Sequence, residues 1–193
     1  MDEVRAFFEL LAMLVTDPRT GVLLALLTAA AVSDYRSYRI PNFLTFGGMA
    51  FALVYNLLVP AWHAQWTWGP AGMLLGLVAM LPMYAIGVMG AADVKLMAMA
   101  GAFLGMEGTL YAVLFSVVAG GLGAIAVSLL HGALGRLLAN TGTVVRGMVW
   151  SAVARGNPSV SAGAAPSVGK LPYGVAIAVG TASYLVARQF GLV

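Results

Sequence analysis

Apolar residues along this chain gather into blocks long enough to cross a bilayer as helices, which takes about 20 residues each, and the polar residues fall between the blocks. Six spans are predicted, at roughly residues 18–34, 41–60, 70–89, 93–106, 109–131 and 172–190. The fourth, opening at Asp93, is short: it crosses only part of the bilayer or is lengthened by the residues around Met106. Residues 3–16 form an apolar stretch before Pro18 that is too short to span alone, which suits a segment at the interface or leading into the first helix. No block shows the short alternation of a transmembrane barrel strand. Between Leu134 and Trp150 apolar residues recur at helical spacing around Arg136 and Arg146, as in a helix lying on the membrane surface, and residues 155–169 are a Gly/Pro/Ser/Ala loop. The predicted fold class is therefore all-α: a polytopic membrane protein of about six transmembrane helices forming a single domain over residues 1–193. Residues 134–170 supply its amphipathic helix and loop.

Composition agrees with that pattern. With 61% hydrophobic and 9% charged residues and a mean hydropathy of +0.93, the chain has too little polar surface for a soluble domain of its length. It contains no cysteine, so disulfides and thiolate metal sites are excluded, and its two histidines, His63 and His131, form no ligand cluster; no metal or cofactor is expected. The acidic start, Asp2 and Glu3, is the wrong beginning for a cleavable signal, so the first helix is expected to be retained. Glycines such as Gly72 and Gly76, Gly101 and Gly105, and Gly120, Gly121 and Gly123 are read as close-packing positions between helices, and the eleven methionines as adaptable packing volume.

Charge orients the spans. Arg36, Arg39, Lys95, Arg136, Arg146, Arg155 and Lys170 fall in loops of one side, against Arg5, Arg19 and Arg188 on the other, so the first set is expected to face the cytoplasm. These bases are topology signals spread over several loops, and no nucleic-acid partner is expected. Trp62, Trp66 and Trp68 suit an aromatic belt at the opposite face. Asp34 closes the first crossing, two crossings follow, and Asp93 returns to the same side, whereas Asp2, Glu3, Glu9, Asp17 and Glu107 fall at the far side or its interface.

Each aspartate has a plain reading. Asp34, in Ser33-Asp34-Tyr35-Arg36-Ser37-Tyr38-Arg39-Ile40-Pro41-Asn42, can pair with Arg36 or Arg39, and Asp93, in Gly90-Ala91-Ala92-Asp93-Val94-Lys95-Leu96, can cap the fourth helix. Together they have another use. Two carboxylates that meet at a membrane edge share one proton, and such a pair can hold a water, take its proton as it attacks a peptide carbonyl, and protonate the leaving nitrogen without a metal or covalent intermediate.

With those motifs in place, the sequence resembles the type IV prepilin peptidases, membrane aspartyl proteases of the GxGD class. The resemblance rests on D-x-x-x-x-R-I-P-N at Asp34–Asn42, a G-x-G-D-x-K-L-like element at Gly90–Leu96 and K-L-P-Y-G at Lys170–Gly174, and it runs from about residue 20 to 190. It implies a six-helix peptidase of the bacterial inner membrane that removes the short basic leader of prepilins or prepilin-like proteins at the cytoplasmic face. Asp34 and Asp93 are then the catalytic dyad, and Gly90, Ala92, Lys95, Arg39, Pro41, Asn42, Lys170, Pro172, Tyr173 and Gly174 support it. Its partners are the prepilin or pseudopilin substrate and membrane lipid. Lacking the cysteine-bearing insertion of larger members, the chain resembles the compact, peptidase-only forms of Flp-type (tight-adherence) pili, and S-adenosylmethionine use is not expected. One departure stands out: Ala92 occupies the usual second glycine of GxGD, and its Cβ would be strained if that position needed positive φ; of a less active copy and a motif that tolerates a small side chain, tolerance is favoured, since a methyl group still permits close packing. Two other classes fit the same residues, a small transporter using the aspartates as a proton or cation relay and a non-enzymatic pilus or secretion assembly subunit in which they are only charge-paired.

Overall fold

A computed structural model describes residues 18–59, 68–85, 87–130 and 172–193, together with Gly132, Gly135 and Gly142. Within these the chain forms five helices and no strand: α1 Pro18–Ser37, α2 Asn42–Leu58, α3 Trp68–Ala85, α4 Ala91–Leu130 and α5 Tyr173–Gln189. The apolar blocks read from the sequence reappear, the fourth and fifth running on within α4. They are divided at Gly105, whose φ of 71° and ψ of −175° leave helical geometry. The break is a reversal. A Cβ added to Gly101 would stand 3.0 Å from Thr109 Oγ1, whereas a straight helix rising about 1.5 Å per residue would keep positions eight apart near 12 Å. A left-handed φ is readily adopted only by glycine, and Thr109 Oγ1 donates 2.5 Å to the Gly105 carbonyl that the reversal exposes. The predicted segments at 3–16 and 155–169, and all of 134–150 except Gly135 and Gly142, together with Trp62, Trp66, His63, His131 and Lys170, lie outside the described residues.

Glycine decides how the helices meet. Gly72 of α3 faces the backbone of Gly101 and Gly105, and four residues later Gly76 faces Met97, where an added Cβ would stand 2.6 Å from the carbonyl oxygen. The register falls on one strand of contact as it rises on the other, so α3 and the first arm of α4 are antiparallel. The second arm pairs with α5 in the same way, with Gly108 at Tyr184, Ser116 at Gly180 and Gly120 at Tyr173. Where lipid is the solvent, apolar side chains gain nothing by leaving it, and close backbone approach through small residues supplies the packing.

The first arm of α4 is the buried centre: Leu96, Met97, Met99, Ala100 and Ala102 have no exposure, and Leu23 and Leu27 of α1, Ala52 of α2, Met80 of α3 and Ile177 of α5 close around it. Outward-facing positions carry Phe43, Leu57, Leu74, Val78, Leu114, Val118, Leu122 and Leu129, an apolar exterior unlike that of a water-soluble monomer. By length and composition α3 and α4 each suffice to cross a membrane; α2 is apolar but shorter.

These pairings sort the bundle into two ends. Arg19, Tyr55, Val59, Trp68 and Arg188 line a cavity of about 380 Å³ at one end. There the Arg19 guanidinium donates to the Val59 carbonyl and lies 5.3 and 5.7 Å from the ring centres of Tyr55 and Trp68. The ends of α1 and α3 and the starts of α2, α4 and α5 make up the other, where the sequence motifs lie.

Candidate active site

Asp34 sits three residues before the end of α1, at 6% exposure. Its position is fixed by how α1 terminates. Tyr38 takes the left-handed conformation at φ 51° with its N–H donating 2.8 Å to the Asp34 carbonyl, and Ser33 Oγ donates 2.7 Å to the Arg39 carbonyl. The chain is thereby turned so that Ile40 is buried and Pro41 precedes α2 in extended geometry, φ −61° and ψ 132°. Arg36 and Arg39 are exposed, and the Asp34 carboxylate instead accepts 2.8 Å from the backbone N–H of Gly174. Gly174 lies in the first turn of α5, whose oriented peptide groups favour a negative charge at that point. An added Cβ there would stand 2.8 Å from Asp34 Oδ2 and 3.0 Å from Ile40 Cδ1, so only glycine lets the helix start approach this closely.

Asp93 occupies the third position of α4, at 7% exposure. A Schellman turn delivers it there: Gly87, at φ 76°, donates 2.9 Å to the Tyr84 carbonyl, and Val88 donates 3.0 Å to that of Met83, which closes α3. The Asp93 carboxylate accepts 3.0 Å from the Gly90 N–H, the reciprocal half of a capping box. The capping role read from the sequence is thus present, and it leaves the other carboxylate oxygen for further contacts. Ala92 is helical and half-buried against the core. Positive φ outside glycine occurs only at Tyr38 among the described residues, so Ala92 carries no such strain, as a motif tolerant of a small side chain requires.

The structure brings much of the predicted set to one place. Asp34 at the end of α1 is bonded to Gly174 beside Tyr173 at the start of α5, and Asp93 is bonded to Gly90 at the start of α4. Lys95 Nζ donates 3.1 Å to Asn42 Oδ1 and stands 5.2 Å from the Phe46 ring centre, joining the start of α4 to the start of α2. Pro172 precedes α5 in extended geometry, φ −72° and ψ 92°, as a starting residue. Arg39 points to solvent, away from both aspartates' hydrogen bonds. Contributors not foreseen are Ser33 and Ile40, which shape the turn after Asp34, and Gly87, which shapes the approach to Asp93. Ser33 and Ile40 belong to the first motif and Gly87 precedes the second, but their use depends on contacts made by the folded chain. Among the described residues no group of three or more acidic, histidine or cysteine side chains is placed to hold a metal ion.

Buried carboxylates drawn from two separate helices, each anchored to a backbone N–H at a helix start, at one end of an all-helical bundle with an apolar exterior, are compatible with a membrane-inserted protein and are groups of the type that carry acid–base chemistry. The sequence model of the type IV leader peptidase family matches residues 21–125, more than half of the chain and inclusive of both aspartates, and the chain belongs to that family, a family of proteases. No curated protein and no solved structure matches the chain.

Proposed function

We propose that this protein is a multi-pass aspartyl endopeptidase of the bacterial inner membrane that removes the basic leader from prepilin-like proteins at the cytoplasmic face, using Asp34 and Asp93 as its dyad. The observation that carries the reading is the convergence of three sequence-distant motifs at one end of the bundle. Gly174 donates to Asp34, Gly90 to Asp93, and Lys95 to Asn42, within a chain whose family is one of leader peptidases. Counting α4 as two arms gives six helical rods, and six crossings with the motif end toward the cytoplasm would agree with the bias of loop charge.

The chemistry follows from the pair. With one proton between them, the ionised carboxylate accepts a proton from water as its oxygen attacks the scissile carbonyl, and the protonated partner donates to the carbonyl oxygen. Collapse of the resulting gem-diol breaks the C–N bond while a carboxyl proton passes to the leaving nitrogen, and the dyad returns to its one-proton state. Helix starts behind both carboxylates stabilise the charge they share. The compact chain without cysteine suits the peptidase-only form associated with Flp-type pili, and no methyl donor enters the scheme.

A membrane relay would place its acids along a path through the bundle, and here both sit at one end. An assembly role through ion pairing would set them against Arg36, Arg39 or Lys95, yet the carboxylates take backbone donors and Lys95 takes Asn42. The test is purified protein in liposomes given a reporter with a basic leader joined to an apolar segment. Cleavage at the junction, unaffected by chelators or by serine- and thiol-directed reagents, is expected. Proton flux without cleavage would replace this reading with a transporter.

A further inference from the structure

Tyr38 has a backbone conformation that its side chain does not suit. Its φ of 51° is one that glycine, asparagine and aspartate adopt far more readily than a bulky aromatic residue. The conformation itself has a use. It closes α1 with the Tyr38 N–H on the Asp34 carbonyl at 2.8 Å, and it brings the Arg39 carbonyl to the hydroxyls of Ser33 and Ser37 at 2.7 and 3.4 Å. Ile40 is thereby turned inward, where its Cδ1 borders the contact between Gly174 and Asp34. Glycine or asparagine would make the same turn with less strain, so the reason for a phenol here lies in the side chain and not in the backbone.

Packing within the fold does not supply that reason. Tyr38 is 54% exposed, and its side chain makes no hydrogen bond or ring contact among the described residues. It stands in a run of exposed aromatic and basic residues, Tyr35, Arg36, Tyr38 and Arg39, with Phe43 following in the first turn of α2. Next to this run, Val32 of α1 and Phe46 of α2 are exposed on the apolar exterior. A tyrosine, apolar along its ring and polar at its tip, favours a boundary that is dry on one side and wet on the other. Arginines beside it complement the phosphates of a lipid surface.

Resting on the membrane peptidase reading, we infer that Tyr38 is a positioning residue whose phenol, seated in the phospholipid headgroup layer between Arg36 and Arg39, fixes the depth of the Asp34 carboxylate in the membrane. The link is short: the N–H of the anchored residue holds the carbonyl of Asp34 itself. A substrate held partly in lipid presents its scissile bond at a set depth, and the turn keeps one member of the dyad level with it.

The experiment uses the full chain in mixed phosphatidylcholine–phosphatidylglycerol vesicles with the basic-leader reporter. Tyr38→Asn gives the turn a residue at ease with positive φ and removes the phenol. Its melting temperature is expected to equal or exceed that of the unmodified protein, while kcat falls about tenfold at unchanged KM, the scale of a displacement smaller than the 1 Å that can lower a rate by about 100-fold. Tyr38→Trp keeps the strained φ and restores an interfacial aromatic, and it is expected to recover the unmodified kcat without any gain in stability. The indole emission it adds over the unmodified protein should be quenched more by lipids brominated near the headgroup than by lipids brominated near the chain end or by aqueous iodide. Three results would overturn the positioning role and leave the peptidase reading standing: full kcat in Tyr38→Asn, a Tyr38→Trp as slow as Tyr38→Asn, or added emission quenched best by iodide. A Tyr38→Asn that melts well below the unmodified protein would also overturn it, by making the phenol a part of the fold. Failure of the unmodified protein to cleave the reporter would instead remove the peptidase reading, and the positioning role with it.

Discussion

Replacing Gly174 by alanine separates the working of the site from the stability of the fold. The position is an ordinary helical one in the first turn of α5, without positive φ, so the backbone tolerates alanine and intrinsic helix propensity favours it by about 1 kcal/mol. The conflict is local. The new Cβ would stand 2.8 Å from Asp34 Oδ2 and 3.0 Å from both Asp34 Cβ and Ile40 Cδ1, distances that force the carboxylate or the helix start to move by several tenths of an ångström. Either movement stretches the 2.8 Å hydrogen bond from the Gly174 N–H, a bond to an ionisable group of the kind worth about 1.5–3 kcal/mol. Misplacing a reacting group by about 1 Å can lower a rate by about 100-fold. The expected result is a 10- to 100-fold fall in leader cleavage with a melting temperature within a few degrees of the unmodified protein. Gly47→Ala, on an exposed face of α2 with nothing within 4 Å of the added atom, is the matched control and should change neither quantity. Full activity in Gly174→Ala would refute the reasoning, because it would mean that the Asp34–Gly174 contact is absent from the working site.

Gly101→Ala drives a methyl group into the Gly72 carbonyl, and since the two nearest atoms are backbone, α3 and α4 must part; a loss of about 1–3 kcal/mol is expected, read as a lower melting temperature in detergent. At Gly105 alanine meets both the Trp68 indole and a positive φ of 71° with ψ −175°, a conformation essentially confined to glycine that alone costs about 1–3 kcal/mol, so Gly105→Ala should be less stable than Gly101→Ala is expected to be at its mildest, by the same measurement. Lys95→Met and Asn42→Ala remove the two halves of one exposed hydrogen bond; each should lower cleavage by less than about tenfold, and the double variant should be no worse than the more affected single one.

Much of this organisation could be read before folding was considered. Long apolar blocks separated by bases predict an all-helical chain, and counting crossings from Asp34 to Asp93 places both at one end. What remained hidden depended on contacts across the chain. The 140-residue separation between Asp34 and Gly174 leaves no periodic trace, and the glycine's value there lies in the atom it lacks. At Gly105 the fold-back was legible only as a gap between two apolar blocks, since a G-x-x-x-G spacing describes close packing and does not reveal a positive φ. Ala92 shows the converse: the family pattern raised strain as one alternative and tolerance of a small side chain as the favoured one, and in this chain the residue is an ordinary second position of a helix. Gly120 and Gly121 were read as packing glycines, and Gly120 does pack on Tyr173, but its neighbour borders open space.

The most direct measurement is leader cleavage by Asp34→Asn and Asp93→Asn. Asparagine keeps an oxygen able to accept from the Gly174 or Gly90 N–H, so both variants should fold and melt like the unmodified protein. The account predicts that each one alone abolishes cleavage of the leader reporter. Continued cleavage by either folded variant would contradict it.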